Sequence, residues 1–186
     1  MEKKAAAGRA KKALAFLLFL AVAVFCLFWG GRLVGRAADD AKGYEILFDE
    51  YTCVLEPEDP AEGLRQSFVW PGGRPLYGMR LNVAAFERVN YGTAHLDLYR
   101  EDGSLAASSA CDMTQLLDDV FYGFVFDKAF EGEADEELTL HFWYRPAGAE
   151  DRLGLWASEG RAEGFEHSSL DGTLAMQAMT RYTGSL

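Results

Sequence analysis

Period-two alternation dominates the chain from Tyr44 onward, and no long run of 3.6-residue period competes with it. Successive side chains of a strand point to opposite faces, so each such stretch divides into an apolar face and a polar one. In "LYGMRLNVA", Met79, Leu81 and Val83 share one face, with Arg80 and Asn82 on the other. In "TAHLDLYRE", Leu96 and Leu98 oppose His95, Asp97 and Tyr99. In "ELTLHFWY", Leu138, Leu140, Phe142 and Tyr144 oppose Thr139, His141 and Trp143. "TLAMQAMTRY" sets Leu174, Met176 and Ala178 against Ala175, Gln177 and Met179. "VFYGFVFD", Val120 to Asp127, is apolar on both sides, which predicts a central strand buried on both faces.

About eight or nine such strands, punctuated by turn residues, predict a mainly β domain: an antiparallel two-sheet sandwich, jelly-roll-like. Asp102-Gly103 stands between two strand-like runs and predicts a two-residue hairpin of primed geometry. In "CDMTQLLDD", Asp112 followed by Gln115 resembles a capping box, so one short helical turn is expected to cross between sheets. "WPGGRP" and the polar stretch Ala157 to Gly172 read as loops.

The first 43 residues follow different rules. "ALAFLLFLAVAVFCLFWGG", Ala13 to Gly31, carries no charge over 19 residues. As a helix it covers about 28 Å, close to the thickness of a hydrocarbon core. Lys3, Lys4, Arg9, Lys11 and Lys12 precede it, whereas Arg32, Arg36 and Lys42 are diluted by Asp39 and Asp40. The positive-inside bias keeps the N-terminus in the cytoplasm. The expected order is a basic cytoplasmic tail (1–12), a transmembrane helix (13–31), a juxtamembrane linker (32–43) and an extracytoplasmic sandwich (44–186). That places the chain in the cell membrane as a single-pass protein. A cleaved signal peptide fits less well, because the apolar run is long and "GRAADD" is a poor cleavage site. Phe25 before Cys26 argues against lipid attachment there.

From Asp39 onward there are 28 acidic and 11 basic residues, a balance of −17. Such a surface repels phosphates, which excludes nucleic acid as the expected partner. Cys53 and Cys111 lie in the expected extracytoplasmic part, where an oxidising compartment permits a disulfide. That bond would stabilise the fold by about 4 kcal/mol on the chain-entropy model. Two buried free thiols are the equal alternative.

No P-loop, G-x-S-x-G, H-E-x-x-H or C-x-x-C occurs, and no nucleophile is flagged beside His95, His141 or His167. Acidic neighbours such as Asp118-Asp119 or Glu136-Glu137 point to opposite strand faces, unlike the facing carboxyls of a glycosidase. The expectation is a protein that is not an enzyme.

The polar faces carry more. If the strand of His95, Asp97 and Tyr99 neighbours that of His141 and Trp143, their outward sides form a patch of one indole, one phenol, two imidazoles and a carboxylate. Aromatic rings cover the apolar face of a sugar while polar groups bond its hydroxyls, which is the chemistry of a glycan-binding surface. The same residues serve equally as cross-strand pairs on a sheet with no ligand. Two histidines with Asp97 make a weak metal set. Structural calcium is the remaining cofactor candidate, but "REDGS" offers too few oxygen ligands for a loop site.

By overall pattern, Gln66 to Tyr144 resembles the jelly-roll modules attached to bacterial membrane proteins of cell-surface polysaccharide assembly, and more loosely carbohydrate-binding modules. The resembling elements are "QSF" (66–68), "LYGMRL" (76–81), "RVNYGTAHLDLYREDG" (88–103) and "LLDDVFYGFVFD" (116–127). The modules it resembles are often fused to multi-span enzymes, whereas this chain has one expected anchor. The resemblance implies a polar loop holding Arg88, Asn90 and Tyr91 at the rim of a site. Residue chemistry alone makes that loop a bend, with Arg88 paired to Glu87 or Asp119, and Asn90 and Gly92 in turn conformations. Two expectations follow: a binding module for cell-envelope or extracellular glycan, with Trp143 and Tyr99 exposed side by side, or an accessory subunit that docks on a membrane-embedded partner.

Overall fold

Eleven strands form two antiparallel sheets in the computed structural model, which describes residues 43–165 and 170–181. The expected tail, the helix over 13–31, almost all of the linker, and His167 lie outside the described residues. Among the described residues, no helix is long and apolar enough to cross a membrane.

The strands are β1 (Tyr44–Phe48), β2 (Cys53–Leu55), β3 (Leu64–Trp70), β4 (Leu76–Ala84), β5 (Gly92–Arg100), β6 (Leu105–Asp112), β7 (Val120–Phe130), β8 (Glu136–Pro146), β9 (Gly154–Ser158), β10 (Thr173–Leu174) and β11 (Met176–Met179). The larger sheet runs β1-β11-β4-β9-β10, with β2 paired to β9 and β7 to β4. The smaller runs β3-β8-β5-β6. The domain is therefore mainly β and sandwich-like, as the alternation predicts.

The apolar faces meet between the sheets. Phe68 and Trp70 of β3, Leu96 and Leu98 of β5, and Leu138, Leu140, Phe142 and Tyr144 of β8 are buried from one side. Met79, Leu81 and Val83 of β4, Phe124 and Phe126 of β7, and Met176 and Ala178 of β11 fill the other. Phe124 meets Phe142 edge to face across the core, with centroids 6.1 Å apart at 75°. Each such side chain stabilises the fold by roughly 1.5–3 kcal/mol of transfer free energy.

Three elements depart from the simple alternation. β7, expected at the centre of a sheet, pairs only with β4 and is an edge strand. Phe124 and Phe126 face the core, while Val125 on the opposite side is 39% exposed, so the apolar outer side is a surface. The run near the C-terminus, expected as one half-exposed strand, is interrupted at Ala175, whose N–H bonds to Trp156 instead. β11 lies between β1 and β4, and all four of its residues are buried. In the β5–β6 hairpin only Gly103 is left-handed (φ +79°), whereas a primed type I turn needs two such residues. Gly103 N–H closes onto Arg100 O at 2.9 Å, and the glycine forms a bulge after the turn.

The crossing between sheets follows the sequence closely. Met113–Gln115 is a single 3-10 turn between β6 and β7, capped by the Asp112 carboxylate, which accepts from Thr114 N–H at 2.9 Å. Gln115 does not close a capping box; it accepts from the Tyr122 hydroxyl at 2.8 Å.

Of the two alternatives for Cys53 and Cys111, the disulfide is not formed and both are free thiols. They stand in different sheets, and each has its own neighbour. The Cys53 thiol donates to Ala157 O at 3.3 Å. Cys111 bonds with Tyr122, and burial pushes its pKa up to about 11.

Candidate functional site

β8 is the centre of the smaller sheet's outer face, because β5 and β3 pair along its two sides. The register places His95 opposite Trp143, Asp97 opposite His141 and Tyr99 opposite Thr139. β3 adds Arg65 opposite His141 and Ser67 opposite Thr139. β6 adds Ser108 opposite Asp97. One row of side chains thus crosses all four strands: Arg65, His141, Asp97, Ser108.

The rings are engaged with one another. His95 stacks on Trp143, with centroids 3.9 Å apart and planes within 4°. The indole Nε1 donates to Asp97 Oδ2 at 2.8 Å. The Arg145 guanidinium stands 5.3 Å from the Trp143 ring and that of Arg65 5.8 Å from the Tyr99 ring. His141 is buried, and its Nε2 donates to Glu62 O at 2.8 Å, which leaves Nδ1 buried without a partner. Trp143 and Tyr99, expected side by side, are half-buried and stand two register rows apart, with His141 and Asp97 between them.

Burial favours the uncharged form of both imidazoles. The pKa of His95 is lowered first by desolvation, against the raising influence of Asp97 and with a further lowering by Arg145. That of His141 is lowered first by desolvation, partly offset by its bond to Glu62 O. The fixed cations of the face are therefore the arginines.

Two depressions flank this face. One of about 260 Å³ is lined by His95, Asp97, Ser108, Ser109 and Asp127. The other, of about 610 Å³, is lined by Glu62, Gly63, Arg65 and Leu170 on the β3 side. Together they suit a polar ligand lying against the sheet rather than one enclosed in a cavity.

The loop residues go elsewhere. Asn90 is 1% exposed: its Nδ2 donates to Ala85 O at 3.0 Å and its Oδ1 accepts from Arg152 N–H at 3.1 Å. Its polar atoms hold the bend and are closed to a ligand. Tyr91 is 57% exposed, its N–H bonded to Asp151 Oδ1 at 2.9 Å. Arg88 is exposed and makes no ion pair among the described residues; the Asp119 carboxylate accepts from Asn82 Nδ2 at 3.3 Å. Positive φ falls, as expected, on Gly92 (132°) and also on Phe86 and Glu87 (58° and 57°), with Asn90 outside that region. That pair is held by Asp118, whose carboxylate accepts from Ala85, Phe86 and Glu87 N–H at 2.6, 3.1 and 3.1 Å. The loop sits at the end of the sandwich, before β5, and does not join the patch.

Sequence reasoning missed Arg65, Arg145, Ser108 and Asp127. The alternation of "LRQSFVW" places Arg65 on a polar face, but only the β3–β8 pairing puts that face beside His141.

Among the described residues, no group of three or more His, Cys, Asp or Glu side chains is placed to hold a metal ion. Neither His95 nor His141 bonds to a hydroxyl or thiol among the described residues. No protein-family model matches the chain, and no curated protein matches it.

Proposed function

We propose that this chain is a non-enzymatic, membrane-anchored binding module for cell-envelope or extracellular glycan, with residues 13–31 as anchor and the sandwich outside. The observation that carries the reading is the stacked His95–Trp143 pair beside Asp97 and His141 on one outward sheet face. An indole edge, a carboxylate and the half-buried imidazole of His95 offer both the apolar contact and the fixed hydrogen-bonding groups that a sugar requires. The jelly-roll reading of the fold is supported by strand order: the run β2-β9-β4-β7 of the seven-stranded sheet lies opposite the four-stranded β3-β8-β5-β6, and the chain crosses between sheets after β2, β3, β4, β6, β7 and β8.

A glycan array probed with the full chain in detergent tests the proposal. The expected result is a set of hits that Trp143→Ala abolishes with the thermal midpoint within a few degrees of wild type. An array without hits would sink it. Deleting residues 13–31 is expected to release the chain from washed membranes; retention would remove the anchor.

A second reading, the accessory subunit, has its own observation. Val89, Tyr91 and Leu117 are 60%, 57% and 63% exposed on the β4–β5 and β6–β7 connections. For such a subunit an exposed apolar patch is expected near the membrane-proximal end, but these connections lie at the end opposite Gly43, where the chain enters the domain, since Tyr44 pairs with Met179 and Met179 with Gly78 at the start of β4. Co-purification of a membrane protein that Tyr91→Ser releases would favour this reading.

A further inference from the structure

Arg65 and Arg145 are unusual in a domain where acids outnumber bases so heavily. Both are exposed, and among the described residues neither makes an ion pair. Each guanidinium lies instead against an aromatic ring of the candidate face, Arg65 at Tyr99 and Arg145 at Trp143. The central row holds one carboxylate, Asp97, and that group already accepts from the indole of Trp143. Both arginines act on the face's histidines: Arg65 lowers the pKa of His141 and Arg145 that of His95. Two cations therefore bracket a strip of neutral imidazoles, with Arg65 lining the larger depression and His95 and Asp97 lining the smaller.

Resting on the glycan reading above, we infer that the ligand is an acidic glycan of uronic-acid type, whose sugar carboxylates are received by Arg65 and Arg145 while its rings lie along β8 over His141 and Trp143. A guanidinium presents a planar fork that matches a carboxylate two bonds at a time, and pre-stacking on an aromatic ring holds that fork without neutralising it. Arg65 pairs with His141, and Arg145 stands four residues further along β8, so the two guanidinium-bearing positions are roughly 14 Å apart, a span that favours a chain over a single sugar. The carboxylates nearest the site are Glu62 beside Arg65 and Asp97 and Asp127 in the smaller depression, and the acids further than about 8 Å away are largely screened at physiological salt.

The test is a binding comparison on the full chain in detergent between an oligogalacturonate and a neutral maltooligosaccharide of matched length. A sulfated oligosaccharide serves as third probe. The expected result is at least about tenfold tighter binding of the oligogalacturonate. That preference should be lost in the double variant R65Q/R145Q and kept in Arg181→Gln, an exposed arginine away from the face. Equal binding of neutral and acidic probes by wild type would overturn the inference and leave the glycan reading standing, and this comparison decides even if the double variant fails to fold. Preference for the sulfated probe would overturn the carboxylate assignment. Binding of none of the three, alongside an array without hits, would overturn both readings.

Discussion

Asp118 shows how one residue fixes a loop that composition does not explain. Its carboxylate gathers three successive N–H groups and so holds Phe86 and Glu87 in a backbone region that costs each about 1 kcal/mol or more. Asp118→Ala is expected to destabilise the domain by about 2 kcal/mol, read as a lower urea midpoint at unchanged slope. An unchanged midpoint would mean that the loop is held by its other contacts, including the Asn90 bonds. The histidines give a pH prediction with a definite sign. His95 and His141 have pKa values lowered in the fold, so the unfolded chain binds protons first as pH falls through about 6.5. Their contribution is neutral above that pH and destabilising below it. The loss of thermal stability from about pH 7.5 to 5.5 should be smaller in His141→Gln than in wild type. An equal or larger loss in the variant would contradict the assignment. The free thiols predict a melting curve unaffected by reductant, checked by scans with and without dithiothreitol.

At the scale of elements, β5 and β8 were legible because their alternation is strict: Leu138, Leu140, Phe142 and Tyr144 are buried as the pattern requires. Phe142→Ala should therefore cost about 3–5 kcal/mol in chemical unfolding. A cost below about 1 kcal/mol would mean that the edge-to-face contact with Phe124 contributes little. Burial on both sides was the less readable property. "VFYGFVFD" is apolar on two faces yet forms an edge, because Phe121 lies beside the Arg80 guanidinium (5.9 Å) while Val125 faces outward. "MQAM" looks half polar yet is central, because Gln177 accepts from Arg80 at 2.9 Å and so is satisfied under cover. Alternation reports which side a residue takes, and only strand order reports what covers that side. The patch follows the same logic: His95, Asp97, Tyr99, His141 and Trp143 share a face by parity alone, whereas Arg65 joins them through the β3–β8 pairing. Asn90 went the other way, since a polar residue in a loop gives no sign that Ala85 O and Arg152 N–H will claim it.

On the scale of the whole molecule, both ends of the sandwich have acidic connections: Glu101, Asp102, Glu131, Glu133 and Asp135 at the end that carries Gly43, and Glu58, Asp59, Glu87, Asp119 and Glu150 at the other, where Val89, Tyr91 and Leu117 are also exposed. The proposed binding face lies along the side between them. The account's central claim is that recognition belongs to that side, around Trp143, and not to the end that exposes Val89, Tyr91 and Leu117. The most direct test is to take the strongest array ligand and titrate wild type, Trp143→Ala and Tyr91→Ala in parallel by intrinsic tryptophan fluorescence. The account predicts that affinity falls at least about a hundredfold, or roughly 2.7 kcal/mol, in Trp143→Ala and stays within about twofold in Tyr91→Ala. Loss of binding in Tyr91→Ala with Trp143→Ala unaffected would contradict it and move the site to the end of the sandwich.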